Sequence, residues 1–396
     1  MSDHLPSEIV EEILLRLPVK SVVKFTSVCK AWNSLIKNQT FIHDHLNHAI
    51  DQASNDSIFL NLCLSKDIGR GHYQKEDFYS LYSVNQQTDH HFSVERFPLS
   101  HLFQPDRHTL FAGICNGLVC YADYSLLHSA TILIWNPLLR KYVVLPKPIM
   151  TCKKRDRQHY AKYDLCFGLG FDSKNNDYKV VRLMNLLSQQ ETPHVEVYSL
   201  VSHSWKRITV RVPQFLFRYL NYDWLPPVFV NGAIHWIVGR GDDFGYRFIL
   251  SFDVTEETFQ ELMLPQKLNH RQCRVSRLLV VEGGHSLAVV VHSTIICRGR
   301  WRWVTDIWVM KEYGINESWT HVLHLGKSLN RGISNILALT GCGKVVAQFV
   351  DKAIVLVDPI KKSVERLGPG YSKTLAGTYV ESLFFLNNNE PHVLSF

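Results

Sequence analysis

The chain has 396 residues, of which 46% are hydrophobic, so it has enough apolar material for a large core and is not intrinsically disordered. Its 43 Lys and Arg residues against 36 Asp and Glu residues give a net charge of +7, which is too mild for a dedicated nucleic-acid binder. No apolar run reaches the roughly 18 residues of a membrane span, and charges interrupt the N-terminal region, so we expect neither a membrane span nor a secretory signal.

Residues 5–46 carry a helical pattern, with apolar residues three or four positions apart and acidic residues on the opposite face. Pro6 suits the first position of a helix, where its missing N–H costs nothing, and Pro18 ends that helix. Two further helices are predicted at about 19–27 and 29–36. Three helices in so short a segment have more apolar surface than they can bury, so the segment is expected to dock on a partner or to cap the following domain.

From residue 57 the apolar period changes to two, which is typical of strands. Tight-turn signals such as Asn116-Gly117 and Asn231-Gly232 recur, and each is followed by two large side chains seven residues apart around a second turn. Each unit is therefore predicted to be two successive hairpins, or four antiparallel strands. The pairs are Trp135 and Tyr142, Tyr198 and Trp205, Phe252 and Phe259, and Val357 and Val364, with a longer copy at Trp308 and Trp319 and a degenerate one at Tyr82 and Phe92.

A four-stranded unit that repeats about every 50–60 residues is typical of a β-propeller blade. Six copies predict an all-β domain with the architecture of a six-bladed β-propeller. Thr378–Phe385 is one strand too many, and we expect it to pair with Ile58–Leu64 and close the ring, because an open ring would leave sheet edges unpaired. A β-sandwich or two smaller β domains is the alternative.

Two parts of the chain resemble one known family. Leu5–Phe25 and Val28–Ile36 resemble the F-box motif over its whole length, and the rest resembles the kelch-like F-box-associated domain of plant F-box proteins. The matching stretches of that domain are Gly170–Leu183, Val195–Leu200, Val230–Trp236, Ile249–Asp253, Ile307–Met310 and Tyr379–Leu383. The resemblance implies a small all-α F-box of three helices at residues 1–46, followed by a kelch-like propeller at residues 57–390.

The resemblance also implies a function, that of the substrate-recognition subunit of a Skp–cullin–F-box ubiquitin ligase. The F-box would bind a Skp-type adaptor and, through it, a cullin and a RING protein, while the propeller would select a protein for ubiquitination and proteasomal degradation. Catalysis would belong to the recruited partners, so the chain is expected not to be an enzyme. By motif position, the adaptor-binding residues are Leu5, Pro6, Ile9, Ile13, Leu17, Pro18, Val28, Cys29 and Trp32. Ile13 has the alternative role of holding the helices together.

The order of strands within a blade predicts where a substrate binds. The A–B and C–D turns lie on one face of the ring, and the B–C loops and D–A connections lie on the other. Nearly all variation in length falls in the second class, so binding is predicted there, through charged and aromatic residues of the kind enriched in protein interfaces. The predicted substrate-binding residues are Lys153, Arg155, Arg157, Phe217, Tyr219, Trp224, Asp242, Phe244, Arg298, Arg300, Trp301 and Arg302.

No motif of catalytic or cofactor chemistry is complete in the sequence. The segment from Gly341 to Lys344 lacks the first glycine and the hydroxyl residue of a phosphate loop, and His43 and His45 fall on different faces of a helix. The nine cysteines are scattered without a C-x-x-C pair, which favours reduced thiols in a cytoplasmic or nuclear protein. We therefore expect no catalytic residue, no metal and no cofactor.

Three alternatives stay open. The chain is similar to pollen S-locus F-box proteins, a subtype whose target would be a stylar ribonuclease. A propeller that works outside a ligase, or that binds RNA by stacking bases on the Trp residues between Arg residues, is the second alternative. The third is a copper oxidase of the kelch type, which needs a cluster of Tyr, His and Cys near the propeller axis.

Overall fold

In the computed structural model, four α-helices precede an all-β domain of six sheets within the residues described. The structure describes residues 6–52, 57–69, 72–83, 94–103, 109–123, 131–150, 163–186, 193–213, 215, 225–239, 247–268, 273–281, 285–297, 300–325, 333–386 and 392–395. Within them, none of the helices has the length and hydropathy needed to cross a membrane. The predicted fold class, a short helical segment followed by a six-bladed propeller, is confirmed.

The helices form one N-terminal unit, which we call the helical module (residues 7–51). They are α1 (Ser7–Leu15), α2 (Val19–Phe25), α3 (Lys30–Ile36) and α4 (Gln39–Asp51). The sequence did not predict α4, because three histidines interrupt its apolar pattern. Asn38 caps this helix with a side-chain oxygen that accepts from the backbone N–H of Thr40 at 2.8 Å, and Phe41 and Leu46 are buried against the other helices.

The β-domain is built from short antiparallel strands. They are β1 (Ser57–Gly69), β2 (His72–Ser83), β3 (Glu95–Arg96), β4 (Thr109–Cys115), β5 (Leu118–Asp123), β6 (Ile132–Asn136), β7 (Lys141–Val144), β8 (Tyr163–Asp172), β9 (Asp177–Leu186), β10 (His194–Ser199), β11 (Ser204–Ile208), β12 (Val228–Val230), β13 (Ala233–Gly239), β14 (Arg247–Asp253), β15 (Thr258–Met263), β16 (Cys273–Val281), β17 (Ser286–Cys297), β18 (Arg300–Met310), β19 (Trp319–Leu325), β20 (Ile333–Leu339), β21 (Val345–Phe349), β22 (Ala353–Asp358), β23 (Ser363–Gly370), β24 (Lys373–Thr378) and β25 (Leu394–Ser395).

Each sheet is one blade of the propeller. Blade 1 consists of β24, β1, β2 and β3, and blade 2 of β4–β7 with β25 on its outer edge. Blades 3 to 6 take β8–β11, β12–β15, β16–β19 and β20–β23 in turn. We call the face with the A–B and C–D turns, such as Asn116-Gly117, the turn face. The opposite face, where β1 is followed by β2 and β17 by β18, is the loop face.

The ring closes with a strand from the C-terminal region, but not with the one predicted. β24 pairs antiparallel with β1, so that Thr378 lies opposite Ile58 and Lys373 opposite Cys63. The closing strand is therefore Lys373–Thr378 rather than Thr378–Phe385. After the N–H of Tyr379 donates to Ser57, the chain leaves the sheet, because its next residues contact the helical module instead.

The seven-residue pairs mark the hairpins of four blades correctly. Trp135 and Tyr142 lie opposite each other, and so do the partners of the pairs in blades 3, 4 and 6. The longer copy was wrong, because Trp308 lies opposite His321 and Trp319 opposite Met310. The degenerate copy, Tyr82 and Phe92, stays a prediction, because Phe92 lies outside the described residues; β3 pairs Arg96 with Phe78 and Glu95 with Tyr79.

Close packing between blades requires glycine at two positions of β8. Gly168 and Gly170 lie in β8, where a Cβ atom at Gly168 would come within 2.5 Å of Ile234 and 2.6 Å of Trp236 in blade 4. A side chain at Gly170 would meet Val254 at 2.6 Å. These glycines therefore let blades 3 and 4 approach each other.

Candidate functional site

The helical module exposes an apolar surface. Ile9 and Ile13, one turn apart in α1, are each 48% exposed, and Val28, just before α3, is 58% exposed. Leu14 points the other way and is fully buried in the core of the module. We call Ile9, Ile13 and Val28 the outer apolar residues. Ile9 and Ile13 are four residues apart in one helix, so they are neighbours on its surface and offer apolar contacts to a partner.

The other predicted adaptor-binding residues take two positions in the structure. Pro6, Pro18 and Cys29 are the residues that precede α1, α2 and α3, and the Cys29 Sγ atom accepts from the N–H of Trp32 at 3.5 Å. Leu17 and Trp32 are half-buried against the core of the module. Leu5 lies outside the described residues. The described residues of the set therefore have different positions. Ile9, Ile13 and Val28 are exposed, whereas Leu17 and Trp32 pack against the core of the module.

A segment that follows the closing strand holds the module to the propeller, and we call Tyr379–Leu386 the clasp. The Glu381 carboxylate accepts a hydrogen bond from the N–H of Val19, the first residue of α2, at 2.8 Å. Leu383 and Leu386 are buried in the same apolar cluster as the helices. The clasp thus supplies a part of the core that the module lacks by itself.

The other side of the clasp is fixed to blade 2. The side-chain amide of Asn136 donates to the carbonyl oxygens of Ser382 and Phe384, both at 2.9 Å, and the Lys141 ammonium donates to that of Phe385 at 2.8 Å. Burial, together with the nearby Lys37 of the module, lowers the pKa of Lys141. Sequence reasoning missed these roles, because Asn136-Pro137, between Trp135 and Tyr142, indicates by itself only the turn of that hairpin.

A buried histidine completes this junction. The His45 Nε2 atom in α4 lies 2.9 Å from the carbonyl oxygen of Leu17. Burial lowers the pKa of His45, so the ring is neutral at neutral pH and donates from Nε2 to that oxygen. The connection from α1 to α2 is thereby anchored at two points, at Leu17 by His45 and at Val19 by Glu381.

The module and the clasp lie on the turn face. β1 starts at Ser57 and β24 ends at Thr378 on the same side as the A–B turns, and the Tyr379 hydroxyl donates to the carbonyl oxygen of Gly117 in one of those turns. A Cβ atom at Gly117, whose φ is +78°, would come within 2.5 Å of Ser382. The loop face therefore points away from the helices.

Two hairpins extend beyond their blades on the loop face. Beyond Ser293 and Val304, β17 and β18 pair only with each other among the described strands, and the last pair is Cys297 with Arg300. In blade 1, β1 and β2 likewise continue as two strands beyond Cys63, the last residue of β1 that pairs with β24. We call these extensions the hairpin arms. Sequence reasoning missed the arm of blade 1 entirely.

The predicted substrate-binding residues mostly lie outside the described residues. These are Lys153, Arg155, Arg157, Phe217, Tyr219, Trp224, Asp242, Phe244 and Arg298. Arg300, Trp301 and Arg302 were predicted in a loop, and the structure corrects this by placing them in β18 opposite residues 295–297. The physical reason is composition, because Ile and Trp side chains favour paired strands over a loop.

The propeller axis has apolar chemistry. A pocket there is lined by the innermost strands of five blades, through residues such as Phe111, Phe229, Leu278 and Ala376. The described lining contains no His or Cys, so it does not offer the ligands that copper prefers.

The buried thiols of Cys115 and Cys120 have pKa values raised by burial, as expected of core side chains rather than reactive ones.

Comparison with known proteins gives two family matches and many relatives. Residues 2–44 match the F-box domain, and residues 73–383 match the F-box associated beta propeller domain. A putative F-box protein of Arabidopsis thaliana is 28% identical over 329 residues, covering 81% of this chain and 78% of the relative. The Arabidopsis F-box protein CPR1 is 27% identical over 337 residues, covering 82% of this chain and 73% of the relative.

An F-box/kelch-repeat protein of the same plant is 28% identical over 326 residues, covering 81% of this chain and 79% of the relative. Among solved structures, an oligogalacturonate lyase in complex with manganese is 9% identical, with a TM-score of 0.40 over 74% of this chain and 73% of that one. That likeness is too weak to support any inference about this protein.

An F-box joined to a propeller defines the substrate-receptor class of Skp–cullin–F-box ubiquitin ligases, whose members are generally not catalysts. Within that class, this chain belongs to the F-box proteins with an F-box associated β-propeller domain, because that family model matches most of its length.

Proposed function

We propose that this protein recruits a target protein to a Skp-type adaptor and its cullin–RING ligase, so that the target is ubiquitinated and degraded. The observation that supports this most directly is the position of the outer apolar residues, which stay exposed while the opposite side of the module is buried against the clasp. The protein contributes proximity, holding a substrate lysine near activated ubiquitin, and leaves the chemistry to its partners.

The outer apolar residues have the character of an interface core. Ile9, Ile13 and Val28 are aliphatic, and each is about half exposed before docking. Full burial of a wholly exposed side chain of this kind contributes roughly 1.5–3 kcal/mol, so burying the exposed half of each contributes about 0.8–1.5 kcal/mol, and the three together supply a part of an adaptor interface. Leu5, Pro6, Leu17, Pro18, Cys29 and Trp32 remain predicted contacts or supports of the same surface.

The two faces of the propeller are proposed to bind different partners. The module lies on the turn face, so an adaptor bound there leaves the loop face open to the target. The clasp joins module and propeller through hydrogen bonds on both of its sides, which keeps the distance between adaptor and target constant. Such a fixed distance favours transfer to lysines within one zone of the target.

Target capture is proposed to occur on the loop face, at the hairpin arms and the connections beside them. The arm of blade 5 carries Arg300, Trp301 and Arg302, and Arg and Trp are enriched at interface hot spots. With a net charge of +7, the protein suits a target with an acidic surface, and binding of that kind weakens as salt rises. We place this activity in the cytoplasm or the nucleus.

The test of adaptor docking uses exposed residues, so that a variant stays folded. Ile9→Asp combined with Ile13→Asp puts two charges into the outer apolar surface and should abolish binding of a plant Skp-type adaptor in calorimetry. The matched control is Ile360→Asp, which makes the same change at an isoleucine that is 87% exposed on blade 6. This control should bind the adaptor like the wild type. Equal binding by the double variant, or no binding by folded wild type, would contradict the proposal.

A further inference from the structure

Three polar side chains converge on the outer strands of blade 5. The Asp306 Oδ1 atom in β18 lies 2.8 Å from Nε2 of His321 and 2.7 Å from Nδ1 of His324, both in β19. These three atoms all lie within 4.8 Å of one another. The side chains of Asp306, His321 and His324 are 21%, 40% and 53% exposed, so an ion can reach them from solution.

The convergence depends on a β-bulge. Residues three apart in a regular strand point to opposite faces of the sheet, so His321 and His324 would not meet. In β19, however, the register shifts at Val322, which has no residue opposite it in the described ladder. The extra residue turns His321 to the face that carries His324 and Asp306. The Trp308 ring packs edge-on against His321 at 5.1 Å and holds that imidazole in place.

The donor atoms match a zinc-type ion. Two imidazoles and a carboxylate form one of the usual donor sets of zinc sites that keep a fourth position open. With bonds of about 2.0–2.2 Å, tetrahedral ligand atoms lie about 3.3–3.6 Å apart. The Asp–His distances of 2.7 and 2.8 Å would therefore lengthen by roughly 0.5–0.9 Å, and the two nitrogens would draw together. Exposed side chains on one sheet face make such movements without a change of backbone.

The positions of the ring protons also allow a metal ion to replace the two hydrogen bonds to Asp306. An ionised carboxylate only accepts hydrogen bonds, so Nε2 of His321 and Nδ1 of His324 both donate to Asp306. Each ring would bind a metal through that same nitrogen after moving its proton to the other one, and a neutral imidazole does this without net loss of a proton.

We propose that Asp306, His321 and His324 form a binding site for a divalent transition-metal ion, with Zn²⁺ the best match and water as the fourth ligand. The ion ties the outermost strand of blade 5 to its neighbour. It also reverses the sign of the local charge, since a single carboxylate becomes a site with net positive charge. The site lies in the propeller and does not depend on adaptor docking.

The test is calorimetric titration of Zn²⁺ into the full chain, purified without a polyhistidine tag and treated with a chelator. Wild type should bind one saturable equivalent at this site. Loss of a partner in the surrounding shell alone lowers metal affinity about 10–100-fold, so H321Q and H324Q, which each remove a direct ligand, should lower it more than 100-fold. The matched control H285Q changes an exposed histidine of the same blade and should bind like wild type.

Cobalt gives a second readout that a merely structural effect would not produce. Four-coordinate Co²⁺ should show visible absorption bands with wild type and H285Q, and those bands should be absent with H321Q and H324Q. Thermal unfolding without metal checks that the variants are folded, and D306N serves as a third variant that keeps the size of the side chain. Equal binding of Zn²⁺ by wild type and the ligand variants, or by none of them, would overturn the proposal.

Discussion

The helical module and the propeller differ in which residues complete their cores and in where their ion pairs lie. The apolar cluster of the module includes Leu138, Leu383 and Leu386 from the β-domain, whereas the clusters between blades contain no module residue among those described. The propeller also buries charged groups, and the module keeps its described ion pair on the surface. The apolar clusters of the blades are therefore complete without the module, whereas the cluster of the module needs residues of the β-domain.

The largest expected effect comes from a buried ion pair in blade 3. Arg182 and Glu196 are 2.6 Å apart and almost fully buried, and Glu196 also accepts from the N–H of Met150. Arg182→Met leaves the carboxylate buried without its counter-charge, so the free energy of unfolding should fall by about 3–5 kcal/mol. Urea denaturation measures it. The double variant Arg182→Met, Glu196→Leu should recover much of the loss, and a single-variant loss below about 1 kcal/mol would show that the pair is not needed.

The next effect separates the two regions directly. Leu383→Ala removes a fully buried side chain from the core that the clasp shares with the module, and the cost should be about 3 kcal/mol. Hydrogen exchange should increase in α1–α4 while the strands of blades 3 to 5 keep their protection. Leu394→Ala, at a residue that is half-exposed, is the control and should change neither. Uniform loss of protection would mean that the propeller depends on the module as well.

Acid provides a third, graded test of the propeller core. Burial lowers the pKa of His235 in blade 4 to about 4, against 6.5 for an ordinary histidine. The unfolded chain then binds the proton first, so stability is complete above pH 6.5 and is lost as the pH falls toward 4. Between pH 7.5 and 5 the wild type should lose about 2 kcal/mol from this group. His235→Asn should flatten that part of the pH profile, and an unchanged slope would exclude His235 as its source.

The smallest effect is expected for an exposed ion pair in the helical module, the counterpart of the buried pair in blade 3. Arg16 and Glu12 in α1 are 3.1 Å apart and mostly exposed. Arg16→Met should change the free energy of unfolding by only about 0.3–0.5 kcal/mol, because water screens the pair. The measurement is the same urea denaturation as for Arg182→Met, with the same substitution. A loss as large as that in blade 3 would remove the distinction between the two regions.

Local signals in the sequence predicted most of the propeller. Asn116-Gly117 and Asn231-Gly232 fix tight turns on their own, and the pairs at Trp135 and Phe252 come next along the chain in the same blades. The helix α4 was missed because its apolar face depends on contacts with the other helices rather than on a regular pattern.

Features that depend on distant contacts could not be predicted in this way. The clasp follows β24 without a break in the pattern, and only the module, more than 300 residues earlier, determines that Glu381 and Leu383 leave the sheet. The grouping of Asp306 with two histidines needs a bulge that the spacing of three residues argues against. Sequence periodicity describes regular strands, so it fails where a strand is irregular.

Because the clasp lies near the end of the sequence, the core of the helical module is completed late in synthesis. A ribosome makes α1–α4 first, yet the leucines that complete their core and the strand that closes the ring are made more than 300 residues later. At ordinary rates of elongation that delay is roughly 20–70 s. Translation that stops early therefore yields a chain whose helices lack part of their core and whose propeller is open. Under the function proposed above, adaptor capture would then favour chains whose propeller has been made in full.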